Sequence, residues 1–204
     1  MKKFILIIIL TTLTASFTSN IYAEEIRSRF GFYLTVPPNF YVLQNKNVDD
    51  FLKKYKDSEF DKDAFSDMIA GVSKQNLKVD IFYPTRVRNP ENHSINVNAQ
   101  KGDIKEITSS FSMKELCPPY KEEYSKIFKK NIKQYSCELT NKFSPKFDPA
   151  IFLYHDGLSG YLVQYQIQTG AGFTTFTAAC DSYKTCTLMK NWMSQMIESI
   201  REPS

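Results

Sequence analysis

Apolar and polar residues alternate with period two over several short stretches of this chain, and each such stretch ends at a turn former. Phe30, Phe32, Leu34 and Val36 alternate with Gly31, Tyr33 and Thr35 until Pro37-Pro38-Asn39 stops the run, and Phe40 to Leu43 resumes extended structure. Leu77, Val79, Ile81 and Tyr83 alternate with Lys78, Asp80 and Phe82, and Ile95, Val97 and Ala99 with Ser94, Asn96 and Asn98. Ile132 to Leu139 places Tyr135, Cys137 and Leu139 on one side. Ala150 to His155 is apolar on both faces, as an interior strand requires. Tyr161, Val163, Tyr165 and Ile167 alternate with Gln164, Gln166 and Gln168, Gly170-Ala171-Gly172 turns the chain, and Phe173 to Ala179 makes the last strand.

Helical spacing takes over in three places. Phe65, Met68, Ile69 and Val72 share a face in a segment running from Val48 to Gln75, with Asp61 or Asp63 to cap it. Between Asp103 and Asn131, Ile104 and Ile107 are followed by Leu116, Tyr120, Tyr124, Ile127 and Phe128; Pro118-Pro119 is expected in the first turn of the second helix there. From Thr185 to Ile200, Leu188, Met189, Trp192, Met193, Met196, Ile197 and Ile200 form one face, against Lys190, Asn191, Ser194, Gln195, Glu198 and Ser199 on the other. Strands joined by tight turns and covered by helices predict an α+β domain built on a mainly antiparallel sheet.

The first 23 residues read differently. Met1-Lys2-Lys3, an apolar run from Phe4 to Leu10 and a more polar tail ending in Ala23 match a secretory signal peptide cleaved after Ala23. The apolar run is far shorter than the roughly 20 residues of a membrane span. Removing Lys2 and Lys3 from 26 basic side chains set against 22 acidic ones leaves a formal balance of +2. That near-neutrality gives no footprint for nucleic acid. The expected product is a periplasmic or secreted protein.

Export also decides how the cysteines are read. Cys117, Cys137, Cys180 and Cys186 are even in number, which implies two disulfides with three possible connectivities. Pairing Cys117 with Cys137 and Cys180 with Cys186 closes two local loops, contributing about 3 and about 2 kcal/mol in the chain-entropy picture. A zinc site is disfavoured because neither pair has zinc-ribbon spacing.

An opening strand FGFYLTVPPNF, a middle strand SINVNA and a closing YLVQYQIQ…FTTFTAACD…MKNWMSQMIESI together resemble the PsbP-like fold. That fold is named for an extrinsic subunit of photosystem II and includes DcrB-type periplasmic proteins. The resemblance implies a layered α/β/α sandwich over residues 24–204, with a helical insertion at about 48–75 and the cysteine loops as departures. It implies no shared catalytic set, so no site residue is carried over.

Catalytic candidates are few. His155 and Asp156 with Ser159 would suggest a hydrolase, but the nucleophile elbow is missing and neighbouring strand residues point to opposite faces. His93 sits at a strand start. Asp57, Glu59, Asp61, Asp63 and Asp67 lack the glycine of a calcium loop. Tyr161, Tyr165, Phe173 and Phe176 could line a groove, though core packing accounts for them. No catalytic, cofactor or metal residue is assigned. The expectation is an exported, non-enzymatic binding or accessory protein working through protein–protein contact. The alternatives are an effector or hydrolase with an unrecognised site, and a small-ligand binder with a largely apolar cavity.

Overall fold

The computed structural model describes residues 23–44, 78–85, 93–128, 131–156 and 160–203. The segment before Ala23 expected to be a signal peptide, the helix expected between Val48 and Gln75, the acidic group around Asp61, and Ser159 lie outside the described residues, as do the side chains of Ile127, Phe128 and Tyr135.

Among the described residues, β1 (Glu24–Arg27) and β2 (Tyr33–Val36) form an antiparallel ribbon. Seven further strands make one sheet: β3 (Phe40–Gln44), β4 (Asp80–Pro84), β5 (Ser94–Gln100), β6 (Lys133–Thr140), β7 (Ala150–Asp156), β8 (Tyr161–Thr169) and β9 (Gly172–Cys180). Their spatial order is β3-β4-β5-β9-β8-β7-β6, with every neighbouring pair antiparallel. The last strand therefore enters the middle of the sheet. Helices α1 (Ile104–Ser110) and α2 (Met113–Phe128) lie on one face, and α3 (Tyr183–Ser199) on the other. This is the expected α+β sandwich.

The main core lies under α3. Met189, Met193, Met196 and Ile197 pack onto Ile95, Val97, Phe176, Ala178, Val163 and Tyr165, joined by Phe32, Leu34 and Val36 of β2. Two expectations about α3 are corrected. Leu188 is 41% exposed, while Ser194, assigned to the polar face, is buried. Its hydroxyl donates to the Lys190 carbonyl at 2.8 Å and is hydrogen-bonded to the buried Tyr165 hydroxyl, so the helix brings a satisfied polar group into the core. Ser182 caps the helix, accepting from the Thr185 N–H.

The second cluster lies under α1 and α2, where Ile104, Ile107, Met113 and Tyr120 meet Ile151, Leu153 and Phe173. Here Pro118 and Pro119 are inside α2, at its sixth and seventh residues, and not in its first turn. The helix starts early, just after Ser112, where the Glu115 carboxylate reaches back to accept from both the N–H and the hydroxyl of Ser112, the returning half of a capping box. The cost of the prolines is offset by packing and by the Cys117–Cys137 disulfide, which ties α2 to edge strand β6. On that strand a bulge between Gln134 and Ser136 breaks the simple alternation, and Leu139 is 47% exposed because β6 is the sheet's edge.

Strand β4 is buried throughout, so its alternation separates two enclosed environments instead of core from solvent. The ribbon is held at a distance in sequence: Tyr33 and Arg201 exchange both backbone hydrogen bonds at 2.8 Å, and Arg201 pairs with Glu25. Cys180–Cys186 links the end of β9 to the first turn of α3. Both local cysteine pairings thus hold.

The β8–β9 hairpin closes through Gly170-Ala171, with Thr169 opposite Gly172. Gly172 has φ of 109°, and a Cβ there would stand 2.5 Å from the Gln100 carbonyl of β5. Gly172→Ala is expected to lower unfolding free energy by about 1–3 kcal/mol in urea titration; an unchanged midpoint would show that β5 yields freely.

Candidate ligand-binding groove

Three interior strands present an uncharged polar face on the α1–α2 side of the sheet. Register aligns it in rows: Asn96, Thr177 and Gln164 lie side by side, as do Asn98, Thr175 and Gln166. Moving outward along these rows to β7, the next residues are Leu153 and Ile151, which α1 and α2 cover. The helices stop short of β5 and β9, leaving a groove of about 900 Å³ whose walls include Ile107, Tyr120 and Tyr124.

The floor and the wall are bonded together. The Tyr120 hydroxyl donates to Gln166 Oε1 at 3.0 Å, and Gln164 Nε2 donates to both the Tyr124 hydroxyl and, at 2.9 Å, Thr177 Oγ1. Burial raises the pKa of both tyrosines, against a lowering by these glutamines, so both phenols are protonated at neutral pH. Gln164 is 2% exposed and its Oε1 has no hydrogen-bond donor among the described residues. Turning the amide over does not help, because both neighbours then face the oxygen and the two N–H donors are stranded. One end of a buried amide on the groove floor is therefore unmatched.

Charge is sparse. Among the described lining residues there are two carboxylates, Glu123 and Asp181, and neither Lys nor Arg. Cys180 and Asp181 close one end with Gly160 and Leu162.

The candidate residues distribute as follows. His155 is on β7, 1% exposed, with its ring 5.1 Å from that of Tyr124. Neither of its nitrogens has a hydrogen-bond partner among the described residues, and burial pushes its pKa down to about 4. His155 is thus a buried neutral imidazole beside the groove and outside its lining, while Asp156 follows it on the opposite face. His93 is buried just before β5, its Nε2 3.6 Å from the Asp181 carboxylate. The structure does not bring the two histidines together. Tyr165 and Phe176 belong to the core under α3. Phe173 is in the second cluster and also touches the groove, and Tyr161 stacks on Tyr154 at 6.0 Å beside the groove's end.

Sequence reasoning did not assemble the floor. The available signal was the absence of charge: the outward positions of β5, β8 and β9 carry Asn, Gln and Thr, whereas a solvated sheet face ordinarily carries Lys and Glu. A small-ligand site was expected to be largely apolar. The observed groove is mixed, with about as much polar as apolar surface, because amides and hydroxyls of interior strands that α1 and α2 leave uncovered face the apolar and aromatic wall.

No family model and no curated protein matches the chain. Among solved structures, cyanobacterial PsbP (CyanoP) from Synechocystis sp. PCC 6803 superposes with a TM-score of 0.57, covering 93% of this chain and 98% of that one at 6% sequence identity. At that identity the likeness concerns architecture alone: the chain has a PsbP-like fold.

Proposed function

We infer that the chain is an exported, non-catalytic binding protein that holds its partner in the groove over β5, β9 and β8. The observation that carries this reading is the groove floor, two aligned rows of uncharged amides and hydroxyls that α1 and α2 leave open beside a tyrosine wall. Two local disulfides support folding in an oxidising compartment, in line with a cleaved signal over residues 1–23 and one domain over 24–204. None of the described helices is long and apolar enough to cross a membrane.

The test uses Asn98→Trp. Asn98 is exposed on the floor, so the indole fills the groove without entering the core. In pull-downs of the mature protein from its own exported fraction, the wild type should retain a molecule that this variant loses. Identical retention by both, or a hydrolytic activity abolished by His155→Ala, would sink the reading.

A further inference from the structure

We propose that the groove ligand is a neutral saccharide, held by hydroxyl-to-amide hydrogen bonds on the floor and by the tyrosine wall. The proposal rests on the groove reading above and names the chemistry of what the groove takes.

The floor offers Asn96, Asn98, Gln164, Gln166, Thr175 and Thr177, spaced by the sheet at about 4.8 Å from strand to strand. Each amide carries a donor and an acceptor, and each threonine hydroxyl can serve as either. A sugar ring has the same dual character, since every hydroxyl both donates and accepts. Saccharide hydroxyls can exchange hydrogen bonds with Asn96 and Thr177 in one row and with the exposed Asn98 in the next. Tyr120 and Tyr124 present amphipathic rings at the wall, with their hydroxyls committed to Gln166 and Gln164. The volume of about 900 Å³ is in the range of sites for small organic ligands.

Other ligand classes fit less well. Phosphorylated or sulphated ligands need cations, and the described lining has carboxylates at Glu123 and Asp181 with no Lys or Arg. An extended peptide normally adds to a free sheet edge or buries apolar anchors in pockets. Here the strands under the groove are interior ones, with β9 paired along its length to β5 and β8, and the aligned rows of the floor are amides and hydroxyls.

The experiment measures binding of the mature, disulfide-intact protein to an array of neutral hexose and N-acetylhexosamine oligosaccharides. Sialylated and sulphated oligosaccharides and an overlapping peptide array run alongside. Saturable binding to a neutral oligosaccharide is expected, weakened about threefold to tenfold by Asn98→Ala and by Asn96→Ala, as loss of one or two hydrogen bonds requires. Asn98→Trp should abolish it. Asn98 is exposed, so its variants keep the test valid should Asn96→Ala fold poorly. Saccharide binding indifferent to all three changes overturns the proposal, as does preference for the anionic oligosaccharides. Peptide binding lost in Asn98→Trp, without saccharide binding, overturns the saccharide and leaves the groove reading standing. Binding to neither array overturns the saccharide, and the pull-down with Asn98→Trp then decides the groove separately.

Discussion

Asp80→Ala is expected to destabilise the protein by about 3–5 kcal/mol in urea unfolding, since it leaves several buried donors without an acceptor at about 1–3 kcal/mol each. Asp80 is fully buried on β4. Its carboxylate accepts from the Ser28 hydroxyl at 2.6 Å, the Arg29 N–H at 3.1 Å and Gln44 Nε2 at 2.9 Å. Ser28 and Arg29 belong to the turn of the β1–β2 ribbon and Gln44 to β3, so one side chain joins three parts of the chain. Burial pushes its pKa up, and the hydrogen bonds together with the nearby Arg29 charge pull it back. Removing the carboxylate strands several donors in a closed environment. Asp80→Asn should fall between wild type and alanine, since its carbonyl oxygen still accepts while its NH2 faces donors. A loss below about 1 kcal/mol for alanine, the size of a single ordinary hydrogen bond, would mean that the ribbon is held by other contacts.

The second large effect is pH-dependent and belongs to His155. Its folded pKa is about 4, against an ordinary value near 6.5, because the ring is buried. A depressed histidine pKa means that the unfolded chain takes up the proton first. Stability is therefore unaffected by this group above about pH 6.5, declines as pH falls from there to about 4, and levels off below that. The full decline is about 3 kcal/mol, because each tenfold difference in proton affinity between the folded and unfolded chain is worth about 1.4 kcal/mol. The clean measurement is the difference between wild type and His155→Phe, because groups such as Asp80 titrate in both. Phenylalanine has a similar volume and no unpartnered nitrogen, so the variant should match or exceed wild type at neutral pH, with its advantage widening as the medium is acidified. Parallel stability curves for the two proteins would show that water reaches the imidazole.

How far the molecule could be read in advance depended on the reach of each interaction. The β8–β9 hairpin and α3 were legible because their determinants are local: alternation, Gly170-Ala171, and a run of methionines at helical spacing. The disulfides were legible for the same reason, since each closes a short loop. β1 was not anticipated: Glu24–Arg27 has little apolar content and is held by pairing with β2, whose Tyr33 bonds to Arg201 at the other end of the chain. The burial of Phe143 under Tyr165, with ring centroids 4.9 Å apart, depends on a loop that carries no periodic signal. The groove was half legible. Its polar positions were visible strand by strand, but only the insertion of β9 between β5 and β8 makes them one surface.

That insertion has a consequence for how the chain reaches its final form. β5 and β8 share no edge until β9 fills the space between them, and β2 gains its outer partner only at Arg201. The decisive pairings join residues about eighty positions apart in the sheet and more than 160 apart at the ribbon. Contacts of such separation form slowly, and they cannot form at all until nearly the whole polypeptide is available. A chain emerging from its N-terminal side would stay open and threadable until its closing hairpin and helix appeared, and then close around them. If the chain is exported as proposed, late closure would keep it competent for passage across a membrane in extended form.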